Sequence, residues 1–117
     1  MYKGADRNSK MYIQDMIESI QYIHEFLAGK SLEDFKNNRL IVDAVVRNFE
    51  IIGEAANNMD EVIQENNPHL PWRKMYGLRN LVTDEYFGVD YSILWEIANK
   101  NLPQNKTDLE NLLQSLE

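Results

Sequence analysis

The sequence contains no cysteine and only two histidines, His24 and His69, which leaves few routes to metal or covalent chemistry. Without cysteine there is no disulfide or thiolate, and a cytoplasmic location is the simplest expectation. The two histidines lie on different predicted elements without a carboxylate pattern typical of a metal site, so we interpret them as surface or packing residues. No glycine-rich phosphate loop or Ser/His/Asp set is recognisable either, and we expect neither a metal nor a cofactor.

Long apolar runs are also missing, and none approaches the roughly 20 residues of a membrane-spanning helix. With 44% hydrophobic and 26% charged residues, residues 1–117 are typical of one globular domain. The net charge of −7 counts against nonspecific nucleic-acid binding, which needs a basic surface, and we expect no DNA-specific binding. RNA would need a local basic cleft. The best local cluster is Arg73, Lys74 and Arg79, which a solvated helix face would also explain.

The three prolines and five glycines mostly mark predicted breaks between helices. Apolar residues at three-four spacing and capping signals predict helices over about 9–27, 31–37, 39–59, 72–83, 91–101 and 107–116. Gly29 stops the first helix, Ser31 and Asp90 cap later ones, Pro103 ends the fifth, and a capping box at Thr107 opens the last. No segment alternates like a strand. The predicted fold is all-α, an up-and-down bundle of four main helices plus short helices.

A line of charged residues crosses the long central helix. Asp43, Arg47, Glu50 and Glu54 recur at spacings of four, three and four, which places them on one face. One interpretation is a solvated face with Asp43–Arg47 and Arg47–Glu50 ion pairs. The other is a cleft lined by Arg47, Glu50 and Glu54, since the rest of this helix is largely apolar. The pattern leaves both open.

The segment Arg79-Asn-Leu-Val-Thr-Asp84-Glu-Tyr86 is the third candidate for function. From the residues alone, Tyr86 is a packing residue near a turn, and Arg79 is an ion-pair partner of Asp84 or Glu85. The segment also resembles the signature of HepT toxins of HEPN–MNT toxin–antitoxin modules: arginine, four to six residues, histidine, any residue, tyrosine. Asn80 fits the polar residue that follows the arginine. Further similarity lies in VRNFEIIGEA (46–55), LPWR (70–73), YFGVD (86–90) and parts of 95–103, and the resemblance covers roughly residues 8–104.

The resemblance implies a homodimer that cleaves RNA without a metal, in a cleft where the two motif segments meet. Arg79, with Asn80 and Arg73, would contact phosphate, since arginine is a permanently charged bidentate donor. Asp84 occupies the position of the motif histidine. Histidine titrates near neutral pH and can both accept and donate a proton, whereas a deprotonated aspartate is a poor donor and repels phosphate. We therefore expect little or no ribonuclease activity.

The resemblance also implies a role for Tyr86, as the residue that the partner nucleotidyltransferase antitoxin adenylylates. Two alternatives remain. The chain is a non-catalytic helical module that binds a nucleotidyltransferase or nucleotides, or it is a helical dimer with no ligand.

Overall fold

The structure is a computed structural model. Helices make up nearly all of the part of the chain that it describes. It describes the backbone of residues 2–84 and 90–117 and the side chains of residues 8–82 and 90–117. The helices are α1 (Tyr2–Leu27), α2 (Leu32–Lys36), α3 (Arg39–Asn57), α4 (Glu61–Asn66), α5 (Trp72–Asp84), α6 (Tyr91–Glu96), a π-helical segment (Ile97–Asn101) and α7 (Leu102–Ser115). None of the helices in these ranges is long and apolar enough to span a membrane.

Helix α3 lies at the centre and packs against both α1 and α5, while α1 also packs against α7. The short helix α2 contacts α3 and α6. The four long elements are therefore α1, α3, α5 and the continuous rod formed by α6, the π-helical segment and α7. This arrangement confirms the predicted all-α bundle of four main helices with short ones between them.

The apolar side of α3 forms the middle of the core. Val45, Phe49 and Ile52 are completely buried, and they belong to one cluster with Ile13 of α1 and Leu109 of α7. Burying a side chain of this size stabilises the fold by about 1.5–3 kcal/mol relative to leaving it exposed. Buried side chains of α1, α3 and α7 therefore form one hydrophobic core.

Local capping signals set several helix ends, as predicted. Gly29 has φ +73°, a conformation that glycine adopts without a Cβ penalty, and it follows the end of α1. At α2, the Asp34 backbone N–H donates to Ser31 Oγ at 3.1 Å, and the Ser31 N–H donates to Asp34 Oδ2 at 3.0 Å. The Asp90 carboxylate accepts from the Ser92 N–H at 2.8 Å and caps α6. These contacts join neighbours in sequence, which makes them predictable.

The predicted break at Pro103 is wrong. The chain remains helical through it, because the preceding π-helical segment makes wider turns, with the Leu102 N–H donating to the Ile97 carbonyl. Proline lacks an N–H and crowds the carbonyl four residues earlier, a conflict that a wider turn relieves, and Pro103 then occupies the first turn of α7. Thr107 is therefore no cap. Its hydroxyl donates to the Pro103 carbonyl at 3.3 Å inside the helix.

Helix α4 was not predicted from the sequence. Asp60 caps it by accepting from the Val62 N–H at 2.8 Å. The helix has six residues and Ile63 is its one buried residue, and a helix this short shows no apolar period in the sequence. Asn67 then links α4 to α5, because its carbonyl accepts from the Trp72 indole at 3.0 Å.

Candidate active site

Helices α3 and α5 touch at Gly53 and Arg79. A Cβ atom on Gly53 would lie 2.6 Å from the Arg79 Cβ and 2.7 Å from the Arg79 nitrogen, closer than real Cβ contacts. Only glycine allows this approach without a shift of one helix. The contact places the base of the Arg79 side chain directly on the surface of α3.

The next residue on α3 contacts the other end of the same side chain. Arg79 Nε lies 3.2 Å from Glu54 Oε2, and the two side chains are 43% and 54% exposed. Water screens an ion pair with this exposure, so it adds at most about 1 kcal/mol to stability. The pair places the Glu54 carboxylate beside the Arg79 guanidinium. The sequence had suggested Asp84 or Glu85 as the partner of Arg79; their side chains lie outside the described residues.

Arg79 and Glu54 form part of the wall of a cavity of about 350 Å³. Its lining comes from α1, α3 with its C-cap residue, and α5, and consists of Tyr12, Asp15, Arg47, Glu50, Ile51, Glu54, Ala55, Asn58 and Arg79. Three carboxylates and two guanidinium groups therefore face one space. Arg47 and Glu54 are exposed, so the cavity opens to solvent.

The charged line of α3 divides between two environments. Arg47, Glu50 and Glu54 line the cavity, whereas Asp43 lies outside it and pairs with Arg39 at 3.2 Å. Neither the Asp43–Arg47 nor the Arg47–Glu50 ion pair is formed within the described part of the chain. One end of the line is thus a solvated face and the rest borders a cleft.

The other predicted phosphate contacts do not line this cavity. Asn80 is exposed on α5 beside Arg79. Arg73 borders a different hollow, near the start of α5, together with Lys74. Six residues of helix separate Arg73 from Arg79, which is about 9 Å along the axis and about 120° around it. The local basic cluster of the sequence is therefore two separate surfaces.

The remaining motif residues fall at the limit of the described structure. Asp84 is the last residue of α5, and its side chain lies outside the described residues, as does Tyr86 entirely. His24 and His69 are exposed and do not line the cavity. Within the side chains that are described, no cluster of histidine and carboxylate residues could hold a metal ion.

Two cavity residues on α1, Tyr12 and Asp15, were missed from the sequence. They are three residues apart and so share a helix face, next to the buried stripe that contains Ile13 and Met16. That spacing is a weak signal. Only the packing of α1 against α3 brings these residues to Arg79.

Comparison with protein families decides the relationship. The model of the HepT-like family, described as ribonuclease HepT-like, matches residues 16–115. The chain belongs to the HepT-like ribonuclease family. The match includes α3, α5 and the whole segment from Arg79 to Tyr86, so seven of the nine residues that line the cavity of this HepT-like chain lie within it.

Individual relatives agree with this assignment. “Putative RNase MJ1380” of Methanocaldococcus jannaschii is 38% identical over 106 residues, covering 91% of this chain and 97% of the relative. “Probable ribonuclease HepT” of Thermococcus cleftensis is 37% identical over 106 residues, covering 91% and 96%.

One relative, whose name gives two activities, is longer than this chain. “Gamma-glutamylcyclotransferase and putative RNase MJ0434” of Methanocaldococcus jannaschii is 33% identical over 111 residues, which cover 95% of this chain. The HepT-like chain spans 50% of that relative's length. No solved structure matches the chain significantly.

Proposed function

We propose that this chain is a HepT-type toxin, a metal-independent endoribonuclease by lineage, whose activity is impaired by Asp84. The observation that carries the proposal is the placement of Arg79. Its base is held against Gly53, and its half-exposed guanidinium lies in the wall of an open cavity, in a chain of the HepT-like ribonuclease family.

The reaction explains why the arginine must be presented in this way. The ribose 2′-oxygen attacks the adjacent phosphorus and loses its proton to a base, while the bond to the 5′-oxygen breaks and that oxygen takes up a proton. The products are a 2′,3′-cyclic phosphate and a free 5′-hydroxyl. Arg79 would stabilise the negative charge that develops on the phosphate oxygens. Stabilisation of developing charge is the largest single contribution to the rate in many enzymes. The proton transfers require a group that titrates near neutral pH.

Asp84 is poorly suited to those proton transfers. An aspartate is a poorer proton donor than a histidine near neutral pH, and its carboxylate adds negative charge near a substrate phosphate. Five residues of helix also place it about 140° around α5 from Arg79. On an ideal helix, two positions at that angle do not share one face. We propose a homodimer, in which each cleft takes residues from both subunits.

Restoring the histidine tests the ribonuclease proposal. Asp84→His should gain RNA cleavage at neutral pH over the parent chain, with products that end in 2′,3′-cyclic phosphate. Adding Arg79→Ala to that variant should remove most of the gain, mainly through kcat. Adding Arg73→Ala instead should raise KM, because Arg73 lies on a separate surface that only extends the contact with RNA. Cleavage by the parent chain as fast as by Asp84→His would refute the role given to position 84.

Tyr86 is the proposed site of control by a nucleotidyltransferase antitoxin. Its phenol oxygen would attack the α-phosphorus of ATP, lose its proton and release pyrophosphate, leaving an adenylyl group on the tyrosine. Incubation with the cognate transferase and ATP, followed by mass spectrometry of peptides, should locate the added mass on Tyr86. The Tyr86→Phe variant should gain none. An adduct elsewhere, or none on the parent, contradicts the assignment.

A non-catalytic binding module is the second candidate. Asp84 favours it, and the charge of the cavity, where three carboxylates outnumber two guanidinium groups, counts against an RNA substrate. Such a module would bind the nucleotidyltransferase or nucleotides, and Asp84→His would bind them without cleaving RNA. The ligand-free dimer fits less well, because Arg79 is 43% exposed rather than buried and fully paired.

A further inference from the structure

We propose that Glu54 is a positioning residue for Arg79, acting together with its neighbour Gly53. The inference rests on the proposed function for its kinetic consequence, and on the geometry alone for its structural one. Two consecutive residues of α3 contact the two ends of one side chain. No other arginine that lines the cavity is held in this way among the described residues, since Arg47 has no ion pair there.

Gly53 determines where the Arg79 side chain begins. The Arg79 nitrogen and Cβ both lie within 2.7 Å of the point where a Gly53 Cβ would be. Such close packing leaves α5 little freedom to slide or rotate at this residue. The base of the side chain is thus fixed by the backbone of α3.

Glu54 determines where the side chain ends. Its carboxylate approaches Arg79 at Nε, with 3.2 Å between Nε and Oε2. Arginine has five N–H donors, of which Nε supplies one and the two Nη atoms supply four. The contact is an ion pair near Nε and not a hydrogen bond, so it acts through charge and leaves the edge formed by the two Nη atoms for a phosphate, where a bidentate contact is geometrically matched.

Because the pair is exposed, Glu54 orients the Arg79 side chain without holding it rigidly. Both side chains are about half exposed, and ion pairs of this kind are weak. A substrate phosphate can therefore bind without first displacing a strong internal anion. An arginine that is already ordered loses less conformational freedom when it engages the phosphate, which favours reaction from the bound state.

The first arm of the test needs no RNA. In the parent chain, ¹⁵N relaxation of the Arg79 Nε–H should show an ordered side chain. Glu54→Gln should lower that order parameter, because the charge of the partner is lost. Glu50→Gln is the matched control, since Glu50 lines the same cavity one turn earlier without an ion pair in the described structure. Equal order in the parent and in Glu54→Gln would overturn the proposal.

The second arm measures cleavage in the Asp84→His background. Glu54→Gln should lower kcat by roughly two- to fivefold, the most that the loss of a weak, half-exposed ion pair can change the population of the oriented arginine, while KM changes by a smaller factor. Glu54→Asp should recover part of kcat. Glu110→Gln removes the ion pair with Lys106 on α7, and Glu110 does not line the cavity, so this variant should leave both constants unchanged. A rise in kcat for Glu54→Gln would show that Glu54 competes with substrate and would refute the positioning role.

The two arms separate the two proposals. If Asp84→His cleaves no RNA, the proposed ribonuclease function fails, and the relaxation measurement still decides whether Glu54 positions Arg79. Thermal unfolding of each variant by circular dichroism establishes that lost order or activity does not reflect lost folding.

Discussion

Replacing Gly53 by alanine adds one methyl group at the point where α3 and α5 touch. The new carbon would lie 2.6 Å from the Arg79 Cβ, whereas ordinary contacts begin at 3.4 Å. The helices must therefore separate by about 0.8 Å at this point, or one must rotate. Because the closest atoms belong to the backbone and Cβ of Arg79, no flexible side-chain end can move aside.

The expected loss of stability is the difference between two opposing effects. Overpacking of a tight contact costs about 1–3 kcal/mol. Alanine inside a helix is favoured over glycine by about 0.8–1 kcal/mol. We expect Gly53→Ala to lower the free energy of unfolding by about 1 kcal/mol, and the melting temperature by about 4 °C for a domain of this size. In the Asp84→His background it should also reduce RNA cleavage, since Arg79 moves with α5.

Gly77→Ala is the matched control on the partner helix. A Cβ at Gly77 would meet nothing within 4 Å, so only the helix preference changes. That variant should be more stable than the parent by about 0.5–1 kcal/mol. Urea unfolding followed by circular dichroism measures both variants. If Gly53→Ala is stabilised as much as Gly77→Ala, then α3 and α5 do not pack closely at Arg79, and the reasoning about the site fails with it.

Two further predictions concern the helix ends. Hydrogen bonds from the Ser31 N–H and side chain lower the pKa of Asp34 below its ordinary value of 3.8. These hydrogen bonds therefore stabilise the folded chain above pH 3.8, and the stabilisation is lost as the pH falls through the lower pKa of the folded state. The free energy of unfolding, measured as the pH is lowered, should be higher for the parent than for Asp34→Asn at first, and this difference should disappear in that range. If the difference stays constant until Asp34 is fully protonated, the capping box is contradicted. Thr107→Ala should change stability by only a few tenths of a kcal/mol, because Thr107 lies inside α7, whereas loss of a helix cap costs about 0.5–2 kcal/mol. Chemical unfolding distinguishes the two, and a loss near 1 kcal/mol would restore the helix break that the sequence suggested at Pro103.

The failed prediction at Pro103 shows the limit of local rules. Proline normally ends a helix, and Thr107 with Glu110 satisfies the pattern of a capping box. The chain instead inserts a π-helical segment and continues, because Ala98, Leu102 and Leu109 remain buried along one rod. Burial of that face outweighs the local signal, and the sequence around Pro103 does not reveal it.

The sequence by itself determined the helical class and the capping of α2 and α6, since each depends on residues close together along the chain. It also determined the family resemblance, because an ordered set of segments can be compared without knowing how they pack. It also showed that Asp84 stands where the motif has histidine. Only the tertiary structure revealed the contact of Arg79 with Glu54. Glu54 lies 25 residues earlier, and it meets Arg79 because α3 packs on α5 through a glycine that leaves no trace in the periodicity of α3.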